Sequence, residues 1–157
     1  MFLNGTAMAG QPDHGNLLGA PLIGPARTAP DYRFFAVRDE FPGLVPIAAA
    51  DLGGVSEGGS IIGELYEVDD DTWRTSLGPG EPPELELGVI ELHDGSRANA
   101  MLLQLDRVAD KSELVDITAF GGWRAYQAHL AGAPASPTAA QVAGVPPSQL
   151  EEEPDQP

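Results

Sequence analysis

Gly and Pro break most of the chain at short intervals, residues 96–120 being the long exception, and this limits what it can fold into. The apolar runs between breaks, "PLIGPART", "YRFFAV", "GLVPIAAA", "SIIGELYEV", "LELGVIEL" and "ANAMLLQLD", have strand length, and several carry β-branched and aromatic residues. With 19 glycines and 15 prolines, the composition leans toward turns, so a sheet of short strands is the expected core. Between two of the runs stands "HDGS". Its Asp94-Gly95 predicts a hairpin turn with both positions at positive φ, pairing 85–92 antiparallel with 98–105. Pro46 inside "LVPIA" predicts an edge or bulged strand, because proline offers no amide to a ladder.

Helices are few. "HGNLLGA" predicts a short one after the first loop, and "DDDTWRTSL" (69–77) gathers acids where a helix N-terminus favours them. A last helix is expected from about Gly122 to Leu130, with Trp123, Tyr126 and Leu130 forming an apolar stripe that docks on the sheet. Beyond it, "GAPASPTAAQVAGVPPSQLEEEPDQP" (132–157) is rich in Pro, Ala, Ser and Gln and ends in acid. Such a segment buries too little apolar surface to offset its ordering entropy. The expected organisation is one domain over 1–131 and a disordered tail over 132–157.

Charge and cysteine content exclude several function classes. Asp and Glu number 24 against 8 Lys and Arg, a net charge of -16, so a nucleic-acid backbone or an anionic lipid surface would be repelled. The absence of cysteine removes disulfides, thiolate zinc sites and thiol nucleophiles. "MFLNG" lacks the features of a secretory signal, and no apolar run reaches the roughly 20 residues of a membrane helix. A soluble cytoplasmic protein is expected.

No Walker A lysine, "HExxH" or dinucleotide fingerprint is present. Of the three histidines, His93 adjoins the hairpin turn and His129 lies near a helix C-terminus, both structural placements. His14 instead follows a glycine-rich loop and opens a helical stretch. That loop, "NGTAMAG", reads equally as a turn or as a nest of amides where glycines at positive φ let an anion approach. Glu81, Glu84, Glu86 and Glu91 lie close in sequence; Glu84 and Glu86 share a strand face, which reads as solvated surface rather than a carboxylate pair or metal site.

"DITAFGGWRAYQAHL" (116–130) closely resembles the closing motif of the C-terminal domain of allophanate hydrolase, and the likeness extends in order over about 1–130. "FLNGTAMAGQPDHGNLLGA" looks like that domain's first strand, loop and His-bearing segment, and "GPARTAPDYRFFAV" like its second strand pair. "GGSIIGELYEVDDDTW" looks like its central strand and following helix, and "PPELELGVIELHDG" like its proline-led loop and hairpin. The resemblance implies the gamma-glutamylcyclotransferase-like superfamily: an α+β fold with a mostly antiparallel, closed or nearly closed sheet and a few short helices. In that superfamily the loop after the first strand, Tyr-Gly-Ser/Thr-Leu, holds a substrate carboxylate with backbone amides. Here it is Asn4-Gly5-Thr6-Ala7, keeping Gly5 and Thr6 and departing at Asn4 and Ala7.

The resemblance also implies a reaction. The allophanate hydrolase domain releases CO2 from N-carboxycarbamate, the product of a partner amidase domain, and the histidine of its early segment matches His14. On that expectation the loop residues Asn4, Gly5, Thr6, Ala7 and Met8 bind the carboxylated substrate, His14 polarises or protonates the carbamate nitrogen, and Trp123 and Arg124 close the pocket. The amidase triad has no counterpart in 157 residues, so a separately encoded amidase is the expected partner. Cyclotransferases instead use a glutamate base in the loop after the helix following the central strand. Here that loop, "LGPGEPPELEL", offers Glu81 or Glu84 without the family's catalytic pattern. Release of 5-oxoproline is therefore the alternative activity, and a non-catalytic partner of an amidase the third reading. No cofactor or metal is expected.

Overall fold

The computed structural model describes residues 1–49 and 57–132. The expected tail therefore lies outside the described residues except for Gly132, as does the end of "GLVPIAAA". Among the described residues eight strands form two sheets: β1 (Phe2–Leu3), β5 (Ile62–Tyr66) and β2 (Leu22–Arg27) in one, and β6 (Leu85–Glu91), β7 (Arg97–Leu103), β4 (Phe41–Pro46), β3 (Tyr32–Val37) and β8 (Leu114–Asp116) in the other, in those orders. Every ladder is antiparallel except β4–β7, which meets in parallel at Leu44 and Leu102.

The sheet is not closed, contrary to the closed or nearly closed sheet expected. The two sheets touch through isolated bridges, Thr28 with Leu92 and Tyr32 with Gly59. A physical reason lies in the strand ends. At Thr28 the hydroxyl, not a strand, accepts the Ile61 amide at 3.0 Å, and β2 is bulged between Leu22 and Gly24. Neither feature propagates a ladder across the gap.

Pro46 does not mark an edge. β4 lies between β3 and β7, and Pro46 is its last residue, opposite Tyr32. Ile47 N–H donates to Asp31 O at 3.0 Å, so by strand alternation the nitrogens of residues 42, 44 and 46 point away from β3. Pro42 and Pro46 thus cost β3 nothing; they confine the parallel contact with β7 to Leu44. The hairpin is present, β6 pairing with β7 from Leu85–Leu103 to Glu91–Arg97, but its turn differs from expectation. Gly95 is at φ +88 while Asp94 is not at positive φ. Leu92 N–H bonds Ser96 O and Gly95 N–H bonds Leu92 O, the three-residue form in which only the last position is left-handed.

The expected helices form as short pieces. His14–Leu17 is a 3-10 turn. α1 (Asp70–Thr72) is capped by Asp69, which accepts the Thr72 amide at 2.7 Å, and it widens into π-type turns over Trp73–Leu77. α2 (Trp123–Leu130) buries Trp123 and Tyr126, but Leu130 stays 49% exposed, so the docking stripe is one turn shorter than expected. The core gathers Phe2, Met8, Leu17, Phe34, Ile61 and Trp123, with a second cluster around Val37, Phe41, Val45 and Leu103. Burying each large side chain contributes roughly 1.5–3 kcal/mol. Among the described residues no helix is long and apolar enough to cross a membrane.

Candidate functional site

A pocket of about 40 Å³ opens where the end of β1 approaches the second sheet, lined by residues 2–7, Phe41, Pro42, Glu81, Pro82, Leu85 and Met101. One water needs about 10–15 Å³ measured this way, so the space suits a very small ligand.

The loop on one wall begins where β1 loses its partner. Met1 pairs with Tyr66 in both directions, and alternation makes Ile62 the rung that would receive Gly5. Ile62 N–H instead donates to Gly121 O at 2.8 Å, and the chain turns away. Among the described residues the amides of Gly5, Thr6 and Ala7 have no acceptor in the protein, whereas Met8 N–H is taken by Gly5 O at 3.1 Å. The expected cradle thus keeps three amides and loses the fourth. Gly5 is not at positive φ. It is glycine because a Cβ there would stand 2.8 Å from Pro42 Cδ; the close approach is of the opposite wall.

The rest of the loop is tied down from behind. Ala9 donates its amide to Glu64 Oε1 (3.0 Å) and gives its carbonyl to Arg124 Nη2 (2.7 Å), while Arg124 also bonds Glu64 Oε2 (3.1 Å). Burial works against the Glu64 charge, but the Ala9 amide, the Tyr66 hydroxyl and Arg124 outweigh it and hold the carboxyl below its ordinary value. Burial and the same carboxylate push the Tyr66 phenol up to about 12. Asp13 N–H bonds Thr6 O at 2.8 Å. His14 Nδ1 lies 3.0 Å from Ala7 O, its ring edge-on to Tyr66.

Glu81 occupies the facing wall. Burial, and after it the Asp13 charge, pushes its carboxyl up to about 7, a value that lets one group give or take a proton near neutrality. Glu84, three residues on, is held by Arg38 at 3.1 Å, and Glu86 by Arg107; these two are ion-paired rather than merely solvated.

The structure therefore brings Asn4, Gly5, Thr6, Ala7 and Glu81 to one pocket. Met8, His14, Glu84, Trp123 and Arg124 are not on its lining. Trp123 is core, 2% exposed; Arg124 and His14 brace the loop. Pro42, Leu85 and Met101 were not foreseen, since nothing in an apolar strand marks which residue borders a pocket. His93 contacts Arg27 at 2.9 Å and His129 packs on Phe120, both structural as expected.

The closing motif acts at a distance from the pocket. Ile117 N–H bonds Phe34 O, Phe34 N–H bonds Thr118 Oγ1, Gly121 takes the Ile62 amide and Arg124 clamps Ala9. The profile of the allophanate hydrolase C-terminal domain family matches residues 1–128. The chain belongs to this family. No curated protein matches it in sequence. Among solved structures, c4763, a protein specific to uropathogenic E. coli, aligns at 26% identity and TM-score 0.69 over 82% of this chain and 94% of its own. Kluyveromyces lactis allophanate hydrolase aligns at 24% and 0.71, over 82% of this chain and 21% of its own, and K. lactis urea amidolyase at 24% and 0.71, over 82% and 8%. This chain thus spans only about a fifth of the one and less than a tenth of the other of those two longer chains.

Proposed function

We propose that the chain is a small enzyme that removes CO2 from an N-carboxylated carbamate or a related urea-derived acid, with Glu81 as the proton donor. One juxtaposition supports this reading: the free amides of Gly5, Thr6 and Ala7 border the same small pocket as the half-protonated Glu81. Backbone amides at one end of the pocket hold a carboxylate without needing a basic side chain. An anion bound there raises the Glu81 pKa further and keeps it protonated. In N-carboxycarbamate the C–N bond to the leaving carboxylate breaks, its electron pair stays on nitrogen, and Glu81 delivers a proton to that nitrogen. CO2 and carbamate result, and solvent reprotonates Glu81. His14 positions Ala7 in this scheme. The substrate comes from an amidase acting on allophanate, a partner suggested by the long chains of the solved relatives that this domain matches.

CO2 release from N-carboxycarbamate made in situ by an amidase is the test. The wild type is expected above background and Glu81→Gln at background; equal rates for the two reject Glu81 as donor, and no wild-type rate above background rejects the activity. Glu81 also stands where the cyclotransferase resemblance puts its base, so gamma-glutamyl amines are the comparison substrate. Release of 5-oxoproline without CO2 release assigns the alternative.

A further inference from the structure

Arg38 and Asp39 both adopt left-handed conformations, φ +52 and +57, in the tight turn from β3 to β4 closed by Glu40 N–H to Val37 O at 2.9 Å. Non-glycine residues held this way carry strain that the surroundings must hold. Here the Asp39 carboxylate takes the Tyr126 hydroxyl at 2.6 Å, and the Arg38 guanidinium meets three carboxylates: Glu40 at 3.1 Å, Glu84 at 3.1 Å and Glu113 at 3.0 Å. Its Cζ also lies 5.7 Å from the centre of the Phe41 ring, which lines the pocket.

Only Glu84 belongs to the segment that carries Glu81. Its side chain is 12% exposed, and its Oε1 is buried with no partner among the described residues. A carboxylate so placed stays inside only while a cation faces it, because an unpaired buried charge costs several kcal/mol. Arg38 therefore joins two parts of the pocket lining that face the Asn4–Ala9 loop, Phe41 through its own turn and the Glu81 segment through Glu84.

We propose that Arg38 is a positioning residue which, through Glu84, keeps the Glu81 loop folded down over the pocket and Glu81 out of water. This rests on the reading of Glu81 as the reacting group. The two are tested separately, since the readout is the Glu81 protonation state and not turnover.

Carboxyl carbon NMR of the full chain follows Glu81, identified by the signal lost in Glu81→Gln. Arg38→Gln and Glu84→Ala are both expected to lower the Glu81 midpoint by about one unit or more toward the ordinary value near 4.3 as the loop hydrates. Deleting the Arg38 charge without moving the loop would instead raise the midpoint, so the sign separates positioning from electrostatics. Glu84→Gln keeps an acceptor for Arg38 and is expected to stay nearer the wild-type midpoint. Glu84→Ala leaves the strained turn intact but deletes a negative charge, which by itself lowers the midpoint, so it is read against Glu84→Gln, which deletes the same charge. A midpoint in Glu84→Ala no lower than that in Glu84→Gln overturns the proposal.

Discussion

The two walls of the pocket are built by opposite means. The Asn4–Ala9 wall is held by bonds to its backbone: Glu64 accepts the Ala9 amide, Arg124 donates to Ala9 O, Asp13 N–H donates to Thr6 O and His14 meets Ala7 O. The Glu81 wall is anchored beside Glu81, by Arg38 on the Glu84 carboxylate and Arg107 on Pro83 O, and leaves the Glu81 carboxyl mostly buried with no cation on it among the described residues and the Asp13 charge nearby. A group that must hold an anion gains from fixed dipoles that need no reorganisation. A group that must exchange a proton gains from being free of partners that would fix its charge.

The strongest way to break this contrast is Glu81→Gln. Loss of a general acid is expected to lower turnover by about 10²–10⁴-fold, with the fold retained. Because burial raises the folded pKa to about 7, the wild type binds the extra proton in the folded state. That contribution is complete below the unfolded value near 4.5 and is lost as pH rises through 7. It amounts to at most about 3 kcal/mol, and urea unfolding at pH 4.5 and 8 is expected to show this slope in the wild type but not in Glu81→Gln. For the same reason kcat/KM should fall above pH 7, and kcat at a higher pH, because the bound anion raises the Glu81 pKa.

Gly5→Ala comes next. The added Cβ meets the rigid Pro42 ring, which is expected to cost about 1–3 kcal/mol in thermal unfolding and to displace the loop from the facing wall. His14→Ala should raise KM by about tenfold while kcat stays within about threefold, one loop hydrogen bond being worth roughly 1 kcal/mol. A loss of kcat matching that of Glu81→Gln would move the chemistry to His14. Arg124→Gln is expected to be mildest. The Arg124 side chain is 46% exposed, so stability should change by less than about 1 kcal/mol, while amide exchange at Ala9 accelerates as its clamp weakens.

How much of this is legible in the sequence depends on range. Strands β2, β3, β5, β6 and β7 lie within a residue or two of their apolar runs, because a run between breakers is a local signal. β8 was missed: Leu114–Asp116 is short and becomes a strand only by pairing with β3. The open sheet was unreadable for a similar reason, since ladder continuity depends on which distant amides are already used. At the site, the glycine after the first strand pointed to the correct loop for a different reason from the one inferred. Backbone freedom was expected, and contact with Pro42 was found. Glu81 and Glu84 are indistinguishable by composition or spacing; only the fold places Arg38 beside Glu84 and buries Glu81 near the Asp13 charge.

The diverted rung at Ile62 has an evolutionary meaning. A β-sheet normally consumes every amide along its inner strands, so a fold made of sheets has few with which to recognise anything. Here the Gly121 carbonyl substitutes for the expected strand partner, and one hydrogen-bond rearrangement leaves the amides at the tip of a structural strand without an acceptor among the described residues, as the proposed carboxylate site needs. New ligand preferences are then accessible by changing the few residues after Leu3, with no need to redesign the sheet that supports them.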